Sequence, residues 1–221
     1  MLDDTEIETL NKKYIQLSVE QRFESLYQDF NVDEVMSTSS FGNHSALMLK
    51  TLSSVAPNQL IYFIDTGNHF NETHQYREEL GRLLDLNIKV ISTSSEIHRF
   101  TRKNKTWESN STYCCYLKKV RPLENIVSKH KVWISGLMKW QSDHRSSLNV
   151  FEVRRGILKF FPLIDQTLEQ CDSFIDGFNL PRHALVNKGY DSIGCTHCTH
   201  KGSLRIGRWK GSKKTECGLH L

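Results

Sequence analysis

The chain has 221 residues, 38% of them hydrophobic and 24% charged, with a formal net charge of +4. That length can bury a sizeable core and suits one α/β domain with a modest appendage, while the positive charge is too small to argue for nucleic-acid binding and is compatible with a basic pocket for a small anion. No apolar run reaches the ~18 residues of a membrane span, and the opening MLDDTEIETLNKKY is acidic and polar, so neither a membrane span nor a secretory signal is expected and the cytoplasm is the expected compartment.

Residues 1–30 form an N-terminal segment with apolar positions at Ile7, Leu10, Tyr14, Ile15 and Leu17, then Phe23, Leu26, Tyr27 and Phe30. That spacing predicts helix. EVMSTSSFG reads as a short strand running into small polar residues, and NHSALMLKTLSSV carries a helical stripe through Ala46, Leu47, Leu49 and Leu52. NQLIYFIDTG is a continuous apolar run, as expected of a strand buried on both faces. NETHQYREELGRLLDL follows as a helix opened by Asn71 or Thr73, IKVIST is a third strand and KVWISG a fourth. Strand and helix alternate, which predicts a Rossmann-like parallel sheet with right-handed crossovers and a ligand site at the carboxyl ends of the strands. The polar loops after the first, second and fourth strands are where chemistry is expected. VFEVRRGILKFFPLID predicts a hairpin with Gly156 in its turn, leading to a helix around DQTLEQCDSFIDGF in which Cys171 shares an apolar stripe with Phe174 and Phe178. The α/β body therefore spans 31–180. From Pro181 the periodicity fades, and 181–221 reads as an irregular C-terminal segment of the same domain, draped over the sheet.

Four stretches carry chemistry. SSFGNHS (39–45), at the end of the first strand, offers hydroxyls, backbone N–H groups and a helix dipole to a phosphate or sulfate; it is equally a Ser-rich helix cap. It lacks the Gly-Lys-Ser/Thr of a Walker loop. IDTGNHFNET (64–73) has an Asp-Thr-Gly at a strand end without the paired lobes of an aspartic protease, so ligand contact or strand termination is the reading. Six cysteines stand at 114, 115, 171, 195, 198 and 217. In a reducing compartment an adjacent pair plus a Cys-x-x-Cys reads as a metal or redox set. Cys114, Cys115, Cys195 and Cys198 could close the coordination of zinc or of an iron–sulfur cluster, or act as a dithiol. An adjacent pair aims at one centre from a helix or kinked turn, since strand side chains alternate. Lys118, Lys119, Arg121 and Lys201 would partly offset the negative charge of such a centre. The tail GRWKGSKKTECGLHL sets Cys217 among glycines, with Arg208, Lys210, Lys213 and Lys214 to lower its pKa and Glu216 to oppose them, as a mobile nucleophile needs. A free surface cysteine is the alternative.

Taken together these stretches resemble the adenylylsulfate/phosphoadenylylsulfate reductase family of assimilatory sulfate reduction, from about residue 35 to the C-terminus. SSFG, DTG-x-x-F-x-ET, CC-x-x-(R/K)-KV-x-PL, QS-x-x-R, SIGC-x-x-CT, GRW and KTECGLH occur in the family's order. The resemblance implies a sheet of the adenine-nucleotide α-hydrolase type. It implies a nucleotide held by Ser39, Ser40, Gly42 and Ser45 and near Asp65, Thr66 and Gly67, with Lys119, Arg145, Arg205 and Arg208 as anion ligands. Cys217 would attack the sulfonyl sulfur, forming S-sulfocysteine and releasing AMP, and thioredoxin or glutaredoxin would then free sulfite. The tail must therefore move between a buried sulfonyl group and an external thiol. The four-cysteine form implies a 4Fe-4S cluster on Cys114, Cys115, Cys195 and Cys198 and adenosine 5′-phosphosulfate as substrate, with the 3′-phosphorylated nucleotide, or use of both, as the alternative. A homo-oligomer is expected, with no nucleic-acid or membrane partner.

Some positions depart from the family pattern. Met138 and Lys139 stand where an Arg pair is usual, removing a guanidinium from the substrate end; Lys118 stands where Arg is common, and Phe161 and Gln166 replace Asn and Trp. Two rivals are a nucleotide hydrolase of the same sheet type, which would need a Gly-Gly-x-Asp-Ser loop where Phe41, Asn43 and His44 stand, and a zinc-stabilised binding module. Trp209, His197 and His220 read as packing or solvent residues.

Overall fold

The computed structural model describes residues 3–212 and 214–220; Lys213, one of the cations named in the tail, lies outside them. Two helices come first, α1 (Asp4–Tyr14) and α2 (Val19–Asp29), each started by a reciprocal cap, Asp3 with Glu6 and Ser18 with Gln21. Such pairs satisfy N–H groups that a helix start leaves free. Tyr14, Phe23 and Leu26 are fully buried, and Tyr14 meets Phe151 edge-on with ring centroids 4.8 Å apart. Arg22 fastens the pair to the body. It donates to the carbonyls of Tyr14 and Pro162, both at 2.8 Å, and bidentately to Asp165 at 2.6 and 2.7 Å.

Next, β1 (Val35–Thr38), α3 (Ser45–Val55), β2 (Ile61–Asp65), α4 (Asn71–Leu83) and β3 (Ile88–Ser92) alternate as the periodicity predicts. Residues 95–127, for which no element was predicted apart from the helical or kinked cysteine pair, hold α5 (Ser95–Lys103), α6 (Thr106–Ser109), α7 (Ser111–Cys115) and α8 (Glu124–Val127). Between α7 and α8 the helix widens into a π-type turn over Tyr116–Val120. The chain continues through β4 (Val132–Ile134), α9 (Asp143–Ser146), the hairpin of β5 (Phe151–Arg154) and β6 (Ile157–Phe160) with Gly156 at φ +74°, and α10 (Leu168–Gly177).

The sheet order is β3-β2-β1-β4-β6-β5, parallel throughout except for the β5–β6 edge. The central strands are buried on both faces, which is why they read as unbroken apolar runs. On one face Leu47, Leu49 and Phe63 pack with Phe160 and Ile164; on the other Met36, Tyr62 and Trp133 pack with Leu123 and with Leu219 of the tail. The chain winds outward from β1 to β3 and then returns to β4 on the other side of β1. This reversal leaves a crevice between the carboxyl ends of β1 and β4. From Pro181 the chain runs in turns, tied by isolated bridges between Tyr190 and Gly202 and between Thr199 and Arg208. Among the described residues no helix is long and apolar enough to cross a membrane.

Candidate active site

The β1–β4 crevice holds a cavity of about 200 Å³. Its floor is the loop after β1. Within that loop the Ser39 hydroxyl accepts from the Phe41 N–H at 3.1 Å and the Ser45 hydroxyl donates to the Gly42 carbonyl at 2.7 Å. Phe41 adopts φ +48°, unusual for a bulky residue, and buries its ring against Phe63 at 5.6 Å. That twist leaves Ser40 exposed, and no side chain caps α3, so first-turn N–H groups and the positive dipole end are open to the cavity.

The tail enters from the opposite side and is held on both flanks of Cys217. On the C-terminal flank three carbonyls are gripped: Gly218 by Arg155 Nη2 at 2.6 Å, Leu219 by Lys159 Nζ, and His220 by His144 Nε2 at 2.9 Å. Lys159 is buried over the Trp133 ring, 4.3 Å from its centroid, and burial lowers its pKa to about 8. On the N-terminal flank Glu216 has no exposed side chain. Its carboxylate accepts from Arg145 Nε at 2.7 Å and Nη2 at 2.8 Å, from Arg205 Nη2 at 3.1 Å and from Ser142 Oγ at 2.9 Å. Burial pushes the Glu216 pKa up, but the two guanidiniums outweigh it and hold the carboxyl below its usual range. For Cys217, burial likewise raises the thiol pKa and Glu216 adds to it, yet Lys119, a bond from the Leu219 N–H and Arg208 bring it below the ordinary value. A thiolate is thereby favoured in the cavity.

A second, smaller cavity lies behind Lys119 and is lined by Cys114, Cys115, Cys195 and Cys198 together with Trp107 and His197. All four thiols are buried and free. The adjacent pair sits where α7 meets the π-type turn, and Cys195 and Cys198 flank a single 3₁₀ turn, so helical backbone lets neighbouring side chains share one space. Thr66 Oγ1 is 3.2 Å from Cys195 Sγ, and buried Lys118 donates to the Thr66 carbonyl at 2.9 Å. Burial raises the Cys198 pKa to about 11 and also raises that of Cys114. Burial disfavours the charge on Lys119, but Cys195, Cys217 and Cys115 outweigh it and raise its pKa; it lines both cavities. Among the described residues no group of three or more His, Cys, Asp or Glu side chains is set to hold a single metal ion. Four thiols around one closed space nevertheless fit a polynuclear iron–sulfur group, which takes one thiolate per iron rather than four at a point.

Of the residues the sequence singles out, Ser39, Ser40, Gly42, Ser45, Lys119, Arg145, Arg205, Arg208 and Cys217 come together around the larger cavity. Asp65, Thr66 and Gly67 do not line it. Asp65 Oδ1 accepts from the Gly67 N–H at 2.8 Å, Gly67 takes φ +66° with His98 against it, and Thr66 faces Cys195, so the strand end serves the cysteine side. Arg208 lies across the Gly194 backbone, where any Cβ would overlap its guanidinium, and donates to the Cys198 carbonyl at 3.1 Å. Of the cations near the cysteines, Lys118 is buried there while Arg121 and Lys201 are exposed. Trp209 packs with Cys195 and Cys198 and, like His220, also lines the larger cavity, while His197 stacks on Trp107 at 3.9 Å beside the cysteines. Met138 lines the cavity too but is almost wholly buried, its sulfur 3.5 Å from Cys171, so the place of the usual guanidinium belongs to the core. Sequence reasoning missed Glu216 as an arginine partner and Lys159 as a tail anchor. A lysine inside the apolar run ILKF was the available signal for the latter.

The sheet order, the uncapped α3 and the cation-lined crevice define a Rossmann-like α/β fold of the adenine-nucleotide α-hydrolase type. FAD synthetase from yeast shares that fold at TM-score 0.60 and 13% identity, over 92% of this chain and 71% of the other. Residues 34–201 match the phosphoadenosine phosphosulfate reductase domain family. The adenosine 5′-phosphosulfate reductase of Lysinibacillus sphaericus is 36% identical over 203 residues, 88% of this chain and 87% of the relative. The crystal structure of phosphoadenylyl-sulfate reductase from Candida auris, a phosphate complex, superposes at TM-score 0.78 and 27% identity, over 90% of this chain and 98% of the other. The chain belongs to the phosphoadenosine phosphosulfate reductase family.

Proposed function

We propose that the protein is an adenylyl-sulfate reductase of sulfate assimilation and cysteine biosynthesis, reducing adenosine 5′-phosphosulfate to sulfite and AMP. The observation that carries this reading is Cys217: a half-buried thiol with a lowered pKa, inside a cavity that also holds Lys119, Arg205, Arg208 and an uncapped helix start. In the first step the Cys217 thiolate attacks the sulfonyl sulfur. An S–S bond forms, the sulfur–oxygen bond to the phosphate breaks, and its electron pair leaves with AMP. Lys119 and the arginines would balance the charge on the departing phosphate, Arg bidentately and Lys as a point charge. In the second step a thiolate of thioredoxin or glutaredoxin attacks Cys217 Sγ, and sulfite leaves with the electron pair. The partner's second thiol then closes a disulfide and returns Cys217 as thiolate. For that exchange the tail must leave the cavity.

Cys114, Cys115, Cys195 and Cys198 would hold a 4Fe-4S cluster. When bound, it would tie the C-terminal segment to α7 and set the field behind Lys119. Six free cysteines suit the reducing cytoplasm. The similarity to a phosphoadenylyl-sulfate reductase favours the 3′-phosphorylated nucleotide as the second reading of the substrate. Mass spectrometry of enzyme mixed with adenosine 5′-phosphosulfate, reductant withheld, is expected to find one added sulfonate on the Cys217 peptide. Sulfite release from a protein whose Cys217 peptide stays unmodified would overturn the reading, and parallel assays with both nucleotides decide the substrate.

A further inference from the structure

Arg145 and Arg205 face the cavity, but both already pair with Glu216, the residue next to the nucleophile. All three side chains are largely buried, with side-chain exposures of 7%, 16% and 0%. Two guanidiniums left in such a place without an anion would repel each other and lack the water that solvates an exposed cation. The pairing is incomplete, however. Among the described residues Arg205 Nε is buried with no partner, so the guanidinium pair has a donor that a carboxylate's two oxygens leave unused and that an anion with more oxygens would engage. The other hold on the tail is of a different kind. Arg155, Lys159 and His144 grip neutral carbonyls of residues 218–220, and none of these donors lines the cavity.

We infer that Glu216 is a resident counter-anion: it occupies Arg145 and Arg205 while no nucleotide is bound, and the incoming phosphosulfate replaces it while the carbonyl clamp keeps Cys217 in the cavity. This rests on the reductase reading. The exchange lets a highly charged substrate enter a buried site without the empty site holding unpaired cations. It also separates two motions of the tail, local release at residue 216 on binding and full release at residues 218–220 for the external thiol.

Calorimetric titration of the full-length protein with inorganic pyrophosphate tests the inference, with Glu216→Gln beside the wild type. Removing a competing charged hydrogen-bond acceptor is expected to tighten pyrophosphate binding about tenfold or more. Equal or weaker binding by a folded Glu216→Gln would overturn the inference, because a residue that only positions the arginines lowers affinity when lost. Hydrogen exchange of the wild type, read by mass spectrometry, covers the case in which that variant does not fold. Pyrophosphate is expected to speed exchange over residues 214–217 and leave 218–220 slow; unchanged or slowed exchange over 214–217 overturns the inference. Neither readout involves sulfonyl transfer, so an unmodified Cys217 peptide would count against the reductase reading alone.

Discussion

Thr66 Oγ1 lies 3.2 Å from Cys195 Sγ, a contact across 129 residues that joins the end of β2 to the Cys-x-x-Cys turn. Lys118 closes the same junction from the π-type turn through the Thr66 carbonyl. The strand end therefore borders the cysteine cavity while the loop after β1 lines the larger one, and Lys119 stands between them.

Thr66→Val keeps the shape of the side chain and removes the contact to sulfur. We expect nucleotide affinity to change less than about twofold, while the thiolate-to-iron absorption that the proposed cluster would give bleaches faster in air. Cys195→Ala is expected to lose that absorption outright and to loosen the C-terminal segment, since ligation contributes to folding. Thr66→Val with altered nucleotide affinity and unchanged bleaching would return the strand end to the substrate.

Cys217→Ser is expected to abolish sulfite formation and to leave nucleotide binding within a few-fold of wild type, because the tail is held by Glu216 and by the carbonyls of 218–220 rather than by the thiol. Sulfite assay and calorimetry on one preparation separate the two effects. Turnover in this variant would remove Cys217 from the chemistry.

The pH dependence of Cys217 has a definite sign. A pKa below the ordinary thiol value means that alkylation by iodoacetamide rises with pH and levels off at a lower pH than for a free cysteine. Lys119→Met removes the largest lowering influence and is expected to move that limb to higher pH. An unmoved profile would show that Lys119 does not govern the thiolate.

His183 gives a stability test. It is buried, with Nε2 3.1 Å from Thr73 Oγ1 and Nδ1 accepting from the Leu185 N–H at 3.2 Å, so a second ring proton would face a donor. Burial lowers its pKa from 6.5 to about 4. The unfolded chain therefore binds a proton that the folded chain refuses below pH 6.5, and stability falls as the pH drops from there toward 4, by about 3 kcal/mol at most. Thermal melts across this range are expected to flatten in His183→Gln.

Arg22→Met removes a buried cation that ties α1 and α2 to the Pro162–Asp165 turn. It takes a donor from three carbonyls and from a partly buried carboxylate, and we expect a loss of about 3 kcal/mol, read by urea unfolding, with nucleotide affinity unchanged below the transition. A loss under about 1 kcal/mol would mean that water replaces the guanidinium without penalty.

What the sequence alone determined was local. Unbroken apolar runs fixed the central parallel strands, because burial on both faces leaves no polar side to alternate, and SSFGNHS at the end of β1 sat where a strand-to-helix turn must open. The cysteine pair and the Cys-x-x-Cys were legible as one set because their spacing has few other uses. Between β3 and β4, α6 and α8 were not foreseen, since pieces of four residues span barely one turn and carry no period, and the nine-residue α5 was missed as well. Tertiary structure alone decided that Thr66 meets Cys195, that Glu216 rather than solvent faces Arg145 and Arg205, and that Lys159 reaches the Leu219 carbonyl. The physical reason is that charge pairing in a buried space depends on which cations the fold brings within about 3 Å of which oxygens, and partners 11 to 129 residues apart leave no trace in local pattern.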